Sequence, residues 1–128
     1  MDRKIAGVAA IMGAVAIILG AFGAHGLKQV LDEAQLATFE TGVKYQMYHA
    51  LFLLFVGTTA MLTEKAKKTI FYLVVTGVLF FSGSIYLLAT KAVTGCDFKV
   101  LGPITPVGGL LLILAWGILF VQLIRKKA

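Results

Sequence analysis

The sequence predicts an all-α, polytopic membrane protein: a bundle of four transmembrane helices, with a short amphipathic outer helix before the second span. Four long apolar segments carry this prediction, and they cover residues 5–24, 46–62, 69–90 and 107–124. A helix of about twenty residues crosses the hydrocarbon core of a bilayer, which is about 30 Å thick. None of the four segments alternates as the strands of a barrel do. The chain is 59% hydrophobic over 128 residues, which leaves room for a single domain, 1–128.

The distribution of basic residues predicts how the bundle is oriented. With four spans, the two termini and the segment between the second and third spans lie on one side. Eight of the twelve basic residues are on that side: Arg3, Lys4, Lys65, Lys67, Lys68, Arg125, Lys126 and Lys127. The positive-inside rule therefore places both termini in the cytoplasm. Basic clusters next to spans attract anionic headgroups, so the net charge of +6 indicates the lipid bilayer as partner and not nucleic acid.

The first apolar segment also has features of a secretory signal peptide, namely a basic start and a passable cleavage site at residues 21–23. It is longer than the usual apolar region of about 7–15 residues. Its removal would leave three spans and would move the remaining basic clusters outside. We therefore expect a retained helix.

Small residues form a seam along the first span. The seam repeats every seven positions, with a second small residue three places after each: Ala6, Gly13 and Gly20, then Ala9, Ala16 and Gly23. Small residues let helices approach closely in a membrane, so we expect the first helix to be the central or most tightly packed member. A pore-lining face is the alternative, but the seam has no polar side chain. Gly77 and Ser84, seven residues apart in the third span, are predicted to pack in the same way.

The segment before the second span predicts an amphipathic helix. Asp32 occupies an N-cap position and Gln35 follows three residues later, which is a weak capping box. The apolar stripe of this segment consists of Leu36, Phe39, Val43 and Met47. One helix over residues 32–62 would be about 45 Å long. Its first third should therefore lie outside the membrane or along its surface, with a bend near Gly42.

Polar and aromatic side chains near the outer ends of the first two spans form a candidate ligand site: His25, Glu40, Lys44, Tyr45, Tyr48 and His49. If the two spans are joined on this side, both histidines should lie at a similar depth. The functional interpretation is a vestibule for a headgroup or quinone-like ring, or a metal-binding or pH-sensing histidine pair. The ordinary interpretation is interfacial tyrosines and histidines bonded to loop carbonyls.

Metal binding is the weaker form of this hypothesis. Glu40 and His49 are nine residues apart, so they point to opposite sides of a straight helix. No spacing typical of metal ligands occurs within the spans, and we predict no metal and no other cofactor. Cys96, in the loop before the fourth span, is the only cysteine and cannot form a disulfide within the chain. A free thiol is expected, and a disulfide between two chains is the alternative.

Three motifs resemble a known family: residues 20–27 (GAFGAHGL), 41–51 (TGVKYQMYHAL) and 102–109 (GPITPVGG). They resemble the signatures of the bacterial YgdD/YwdK-type small membrane proteins. That family is grouped under a domain of unknown function and extends to a eukaryotic relative called transmembrane protein 256. The similarity covers essentially the whole chain. It implies a four-span protein of the bacterial cytoplasmic (inner) membrane, and it brings no assigned activity and no catalytic residues.

The sequence favours a non-catalytic bundle that associates with itself or joins a larger membrane complex. One alternative is a binder of a lipid, quinone or small amphiphile in the outer vestibule, and another is a small transporter or channel subunit. Ion-coupled transport usually needs an ionisable group deep in a span, and no Asp, Glu, Lys or Arg occurs there. An enzyme is the least favoured class, because no nucleophile–base pair or metal-ligand spacing is present.

Overall fold

The computed structural model describes residues 2–90 and 103–125, and these residues form helices and short turns. The helices are α1 (Asp2–His25), a short 3₁₀ helix (Leu27–Gln29), α2 (Glu33–Thr58), α3 (Glu64–Ala89) and α4 (Ile104–Ile124). The all-α class predicted from the sequence is confirmed. The predicted loop thiol, Cys96, lies outside the described residues.

Three helical segments in the described part of the chain are long and apolar enough to cross a membrane: Asp2–Gln29, Glu64–Ala89 and Ile104–Ile124. Helix α2 is not among them, because polar residues such as Lys44, Gln46 and His49 interrupt its apolar sequence. Length and hydropathy therefore support three of the four predicted spans. The position of α2 depends on how it packs against the other helices.

Helices α1 and α2 run antiparallel in close contact along nearly their full length. From one end to the other, the facing pairs are Gly57 with Ala6, Gly13 with Ala50, Gly20 with Val43, and Gly23 with Phe39. At the tightest of these positions, a Cβ atom placed on Gly57 would lie 2.9 Å from the backbone nitrogen of Ala6. These pairs fix the register of the two helices, so each level on α1 corresponds to a known level on α2.

The expectation that α1 is the central or most tightly packed helix is wrong. Only one face of α1 is buried, and its buried residues are Ile5, Ala9, Ala16 and Gly23. The opposite face exposes large apolar side chains such as Ile11 and Ile18, each 65% exposed. The small residues bring α1 close to one neighbour, but they cannot surround it with others. Helices α2 and α3 bury more residues and occupy the interior.

Helix α4 packs against α3 through an approach of backbone to backbone. A Cβ atom on Gly108 would lie 2.8 Å from the carbonyl oxygen of Gly77, a distance that only glycine tolerates. The central core that results takes apolar side chains from all four helices and from the turn before α3: Ile5, Ala9, Phe52, Leu53, Val56, Leu62, Ile70, Phe71, Val74, Val78, Leu112, Ala115 and Leu119.

The start of α2 has the predicted capping box. The Gln35 backbone N–H donates to Asp32 Oδ1 at 2.7 Å, and the Asp32 N–H donates to Gln35 Oε1 at 3.2 Å. The apolar stripe that follows packs against the 3₁₀ helix and the end of α3, in a second core that includes Leu27, Phe39 and Ala89.

The residues predicted as a short amphipathic outer helix are the first turns of α2, which continues through Gly42 as one helix. Helix α2 ends at Thr58, four residues before the predicted end of the second span. The backbone N–H of Ala66 donates to Thr63 Oγ1 at 3.1 Å, so Thr63 caps the start of α3.

Candidate functional site

The two histidines lie at different levels of the bundle. His25 is the last residue of α1 and is exposed. His49, on α2, is 3% exposed and lies level with the middle of α1. The register shows this directly, because Phe39 faces Gly23 while Ala50 faces Gly13. At about 1.5 Å per residue, the two histidines are separated by about 17 Å along the helices. The expectation that both histidines lie at a similar depth is wrong. Helix α2 begins at Glu33, so His49 lies about four helical turns inside it.

The other predicted ligand residues remain on the outer surface of α2. Glu40 and Lys44 are exposed. Tyr45 and Tyr48 are also exposed, with ring centroids 5.6 Å apart, and the Tyr45 ring lies 5.0 Å from Phe81. None of these four side chains is buried with His49. Among residues 2–90 and 103–125, no three His, Cys, Asp or Glu side chains come together as metal ligands would.

A different set of polar side chains meets inside the bundle, and we call it the interhelical polar network. Its members are Gln46, His49, Ser82, Ser84, Tyr86, Thr105 and Trp116. Two of them lie on α2, three on α3 and two on α4. The bonds within the network join every pair of neighbouring helices.

Gln46 links three helices through its side-chain amide. Its Nε2 group donates to the Met12 carbonyl of α1 at 2.9 Å, and its Oε1 accepts from the Tyr86 hydroxyl of α3 at 2.7 Å. The Tyr86 ring packs against Phe39, with centroids 5.1 Å apart. Gln46 is buried, so this pairing supplies the partners that an amide requires away from water.

His49 connects α2 to α4. The Trp116 indole N–H donates to His49 Nε2 at 3.1 Å, and His49 Nδ1 lies 2.7 Å from the Tyr45 carbonyl oxygen. An indole nitrogen only donates and a carbonyl oxygen only accepts. His49 therefore carries its proton on Nδ1 and is neutral in this arrangement. A second proton, on Nε2, would remove the acceptor that Trp116 uses.

Serine hydroxyls form the remaining links. Ser82 donates to the Gly42 carbonyl at 2.8 Å and so joins α3 to α2. Ser84 donates to the Phe81 carbonyl at 3.0 Å and shares a short hydrogen bond with the Thr105 hydroxyl on α4. Because the Ser84 proton is already donated, Thr105 is the donor in that second bond.

Sequence reasoning missed most of this network. Of its members, the sequence predicted a role for His49, as a candidate ligand residue, and for Ser84, as a packing residue. The signal that could have found the network is spacing: Gly42, Gln46 and His49 fall on one face of α2. Ser82 and Tyr86 are likewise four residues apart on α3. Polar residues that share one face of an apolar helix are expected to point toward a neighbouring helix.

An ion pair joins α1 to α3 at the end where both helices begin. Lys67 Nζ lies 3.1 Å from Asp2 Oδ2, and the lysine side chain is 4% exposed. The sequence placed Lys67 in a surface cluster with Lys65 and Lys68. The structure separates it from them, since Lys67 points inward while Lys65 and Lys68 are exposed.

Long helices with apolar outer faces, joined by hydrogen bonds between buried polar side chains, define a polytopic α-helical membrane protein. A family model described as "Protein of unknown function (DUF423)" matches residues 19–109. The chain belongs to this family, which confirms the resemblance found in the motifs.

Named relatives agree with this assignment. The chain is 38% identical over 121 residues to the UPF0382 membrane protein YwdK of Bacillus subtilis, covering 91% of this chain and 92% of the relative. It is 33% identical over 123 residues to the UPF0382 inner membrane protein YgdD of Escherichia coli, covering 93% and 88%. A UPF0382 membrane protein of Haemophilus influenzae is 36% identical over 116 residues, covering 91% and 90%. No solved structure matches the chain.

Proposed function

We propose that the chain is a single domain, 1–128, that crosses the bacterial cytoplasmic membrane four times with both termini in the cytoplasm. The register of α1 and α2 supports the fourth span. Since α2 lies beside α1 from Gly57 to Phe39, it occupies the same layer of the membrane that α1 crosses. The outward side chains of α2 fit this position, because Leu51 is 58% exposed and Leu54 and Phe55 are also exposed. The basic residues at the inner end support the orientation.

Within this bundle, we propose packing roles for the small residues predicted from the sequence: Ala6, Gly13, Gly20, Gly23, Gly77 and Ser84. Contacts of the glycines support the proposal. A Cβ atom on Gly23 would lie 3.0 Å from the Phe39 ring, and one on Gly77 would lie 2.9 Å from Leu112 Cγ. Ser84 contributes through its bond to Thr105.

We propose that the protein acts without catalysis, by associating with itself or with a larger membrane complex. The observation that carries this proposal is the outward face of α1. That face has exposed small residues beside the exposed isoleucines Ile11, Ile17 and Ile18: Gly7, Ala10, Ala14, Ala21 and Ala24. A Cβ atom on Gly7 would meet nothing within 4 Å. Small residues on a lipid-facing surface let a second helix come close, and nothing in the protein's own described residues occupies this surface.

The experiment measures self-association in liposomes by single-molecule photobleaching across a range of protein densities. Replacing Ala10 and Ala14 with leucine should reduce the association constant at least about tenfold, or about 1.4 kcal/mol, because the larger side chains keep the second helix away. The control replaces Ile11 and Ile18 with leucine, which keeps side-chain volume on the same exposed helix.

Equal behaviour of the alanine and isoleucine variants would contradict the proposed interface. If the unmodified protein is monomeric at every density, the proposal of self-association is wrong.

The alternative, binding to a larger membrane complex, is tested by photo-crosslinking from position 14 in native membranes. We expect a specific partner band that is lost in the Ala10→Leu variant.

A further inference from the structure

A groove between α3 and α4 opens at the end of the bundle where α3 begins and α4 ends. Its mouth is a cavity of about 300 Å³. The polar residues that line the mouth are Thr63, Lys65, Thr69, Gln122 and Arg125. Lys65 on α3 and Arg125, directly after the end of α4, therefore contribute one basic residue each to the same opening.

The groove continues from the mouth along the two helices toward the membrane interior. A second cavity of about 290 Å³ shares Thr69 with the first, and its further lining residues are Tyr72, Leu73, Thr76 and Leu111. Thr69 and Thr76 are two helical turns apart, about 10 Å. The Thr69 hydroxyl donates to the Lys65 carbonyl at 3.0 Å, so this side chain is bonded to its own helix. The surface that lines the inner part of the groove is mostly apolar, whereas its mouth is basic.

The charges and donors of the mouth suit a phosphate group. Lys65 and Arg125 are both exposed cations. Of the acidic residues nearby, Asp2 is paired with Lys67 at 3.1 Å, and Glu64 does not line the cavity. Guanidinium and ammonium groups form short, charge-assisted hydrogen bonds with phosphate oxygens.

Two neutral side chains add donors to the mouth. Thr63 Oγ1 accepts a hydrogen bond from the Ala66 N–H at 3.1 Å, which leaves the hydroxyl proton of Thr63 available to donate. The Gln122 amide, on the facing helix, supplies two N–H groups. The mouth therefore presents donors from both helices around one opening.

We propose that this groove binds one anionic phospholipid. The phosphate of the headgroup lies between Lys65 and Arg125, and one acyl chain follows the apolar part of the groove past Leu73 and Leu111. A soluble phosphate compound would bind in the mouth alone. A phospholipid fills both the basic mouth and the apolar inner part, and it is present wherever α3 and α4 cross a bilayer. The proposal depends on those two spans and not on the self-association proposed above.

The test is native mass spectrometry of the protein released from nanodiscs made of equal parts phosphatidylglycerol and phosphatidylcholine. We expect one retained phosphatidylglycerol per chain. The double variant Lys65→Gln/Arg125→Gln should lose at least about tenfold in lipid retention, since it removes the two charge-assisted hydrogen bonds to the phosphate. The matched control is Arg3→Gln/Lys68→Gln, which removes the same charges from the same end without touching the groove.

A second pair of variants tests the apolar part without changing any charge. Thr76→Phe fills the groove and should abolish retention, whereas Leu79→Phe, on the exposed face of α3, should leave it intact. An unfolding transition equal to that of the unmodified protein establishes that each variant is folded.

Three outcomes would overturn the proposal. Equal losses in both charge variants would show a diffuse electrostatic layer instead of a site. Equal retention of the two lipids would show that the headgroup charge is not recognised. Unchanged retention in Thr76→Phe, together with displacement by soluble glycerol phosphate, would show that the mouth binds phosphate without an acyl chain.

Discussion

The α1–α2 and α3–α4 interfaces both bury glycines, but they bring the helices together to different degrees. Along the seam of α1, Cβ atoms on Gly13 and Gly20 would lie 3.8 Å from Ala50 Cβ and 3.5 Å from Val43 Cγ1. These are ordinary van der Waals distances to side chains. At the α3–α4 crossing, a Cβ atom on Gly108 would overlap the backbone of α3 around Phe81.

The difference shows that the number of small residues does not measure how tightly a helix is packed. The long seam of α1 leaves space for a methyl group at several positions. The α3–α4 crossing has few glycines, but there the two backbones touch, as the α1 and α2 backbones do at Gly57 alone of the positions compared. Tolerance to substitution depends on whether the added atom meets a side chain, which can move, or a backbone, which cannot.

The largest effect is expected for Gly108→Ala. The new methyl group would lie 2.8 Å from the Gly77 carbonyl oxygen and 2.9 Å from the Phe80 carbonyl carbon. Separating α3 from α4 should lower the free energy of unfolding by about 3 kcal/mol or more, as measured by SDS titration in mixed micelles. The control is Gly109→Ala, whose methyl group would lie 3.6 Å from the Phe81 ring. Equal losses in both variants would contradict the backbone contact.

A smaller but clear loss is expected for Gly57→Ala at the end of the α1–α2 interface. Its methyl group would lie 2.9 Å from the Ala6 nitrogen and 3.1 Å from the Asp2 carbonyl oxygen. Because the overlap is confined to one end of the α1–α2 interface, we expect about 2 kcal/mol of destabilisation in the same titration. Gly13→Ala should change stability by less than about 1 kcal/mol. A Gly13 variant as unstable as the Gly57 variant would show that the seam is tighter than the structure indicates.

The smallest effect, and of opposite sign, is expected for Gly117→Ala on α4. A Cβ atom there would meet nothing within 4 Å. Alanine loses less backbone freedom than glycine in a helix, so the variant should gain about 0.5–1 kcal/mol. Thermal unfolding at low protein density measures the stability of this variant against that of the unmodified protein. A loss of stability that appears only at high density would reveal a second chain packed on this face.

Local sequence features predicted the parts of the fold that depend on nearby residues. The helical class followed from four apolar segments, and the capping box followed from Asp32 and Gln35. The end of α2 was placed four residues too late, since Thr63, which caps α3, was not considered as a helix start. The family followed from motifs that the comparison with relatives confirms.

The site could not be predicted in the same way, because its contacts depend on the register between helices. Periodicity showed that Gln46 shares a face with His49 but not that Met12 and Tyr86 would meet it. The depth of His49 was misjudged for the same reason, as was the importance of Gly108. An antiparallel pair can shift by one helical turn and keep the same faces in contact, so only the three-dimensional structure fixes which residues meet.

The central claim is that the interhelical polar network holds the four helices together. A double-mutant cycle between Gln46→Leu and Tyr86→Phe tests it most directly, because the hydrogen bond of 2.7 Å between these side chains joins the two interior helices. Unfolding free energies in lipid bicelles should give a coupling energy of about 0.6 kcal/mol, and at most about 1.7 kcal/mol. A coupling energy of zero would contradict the claim, since the two substitutions would then act independently.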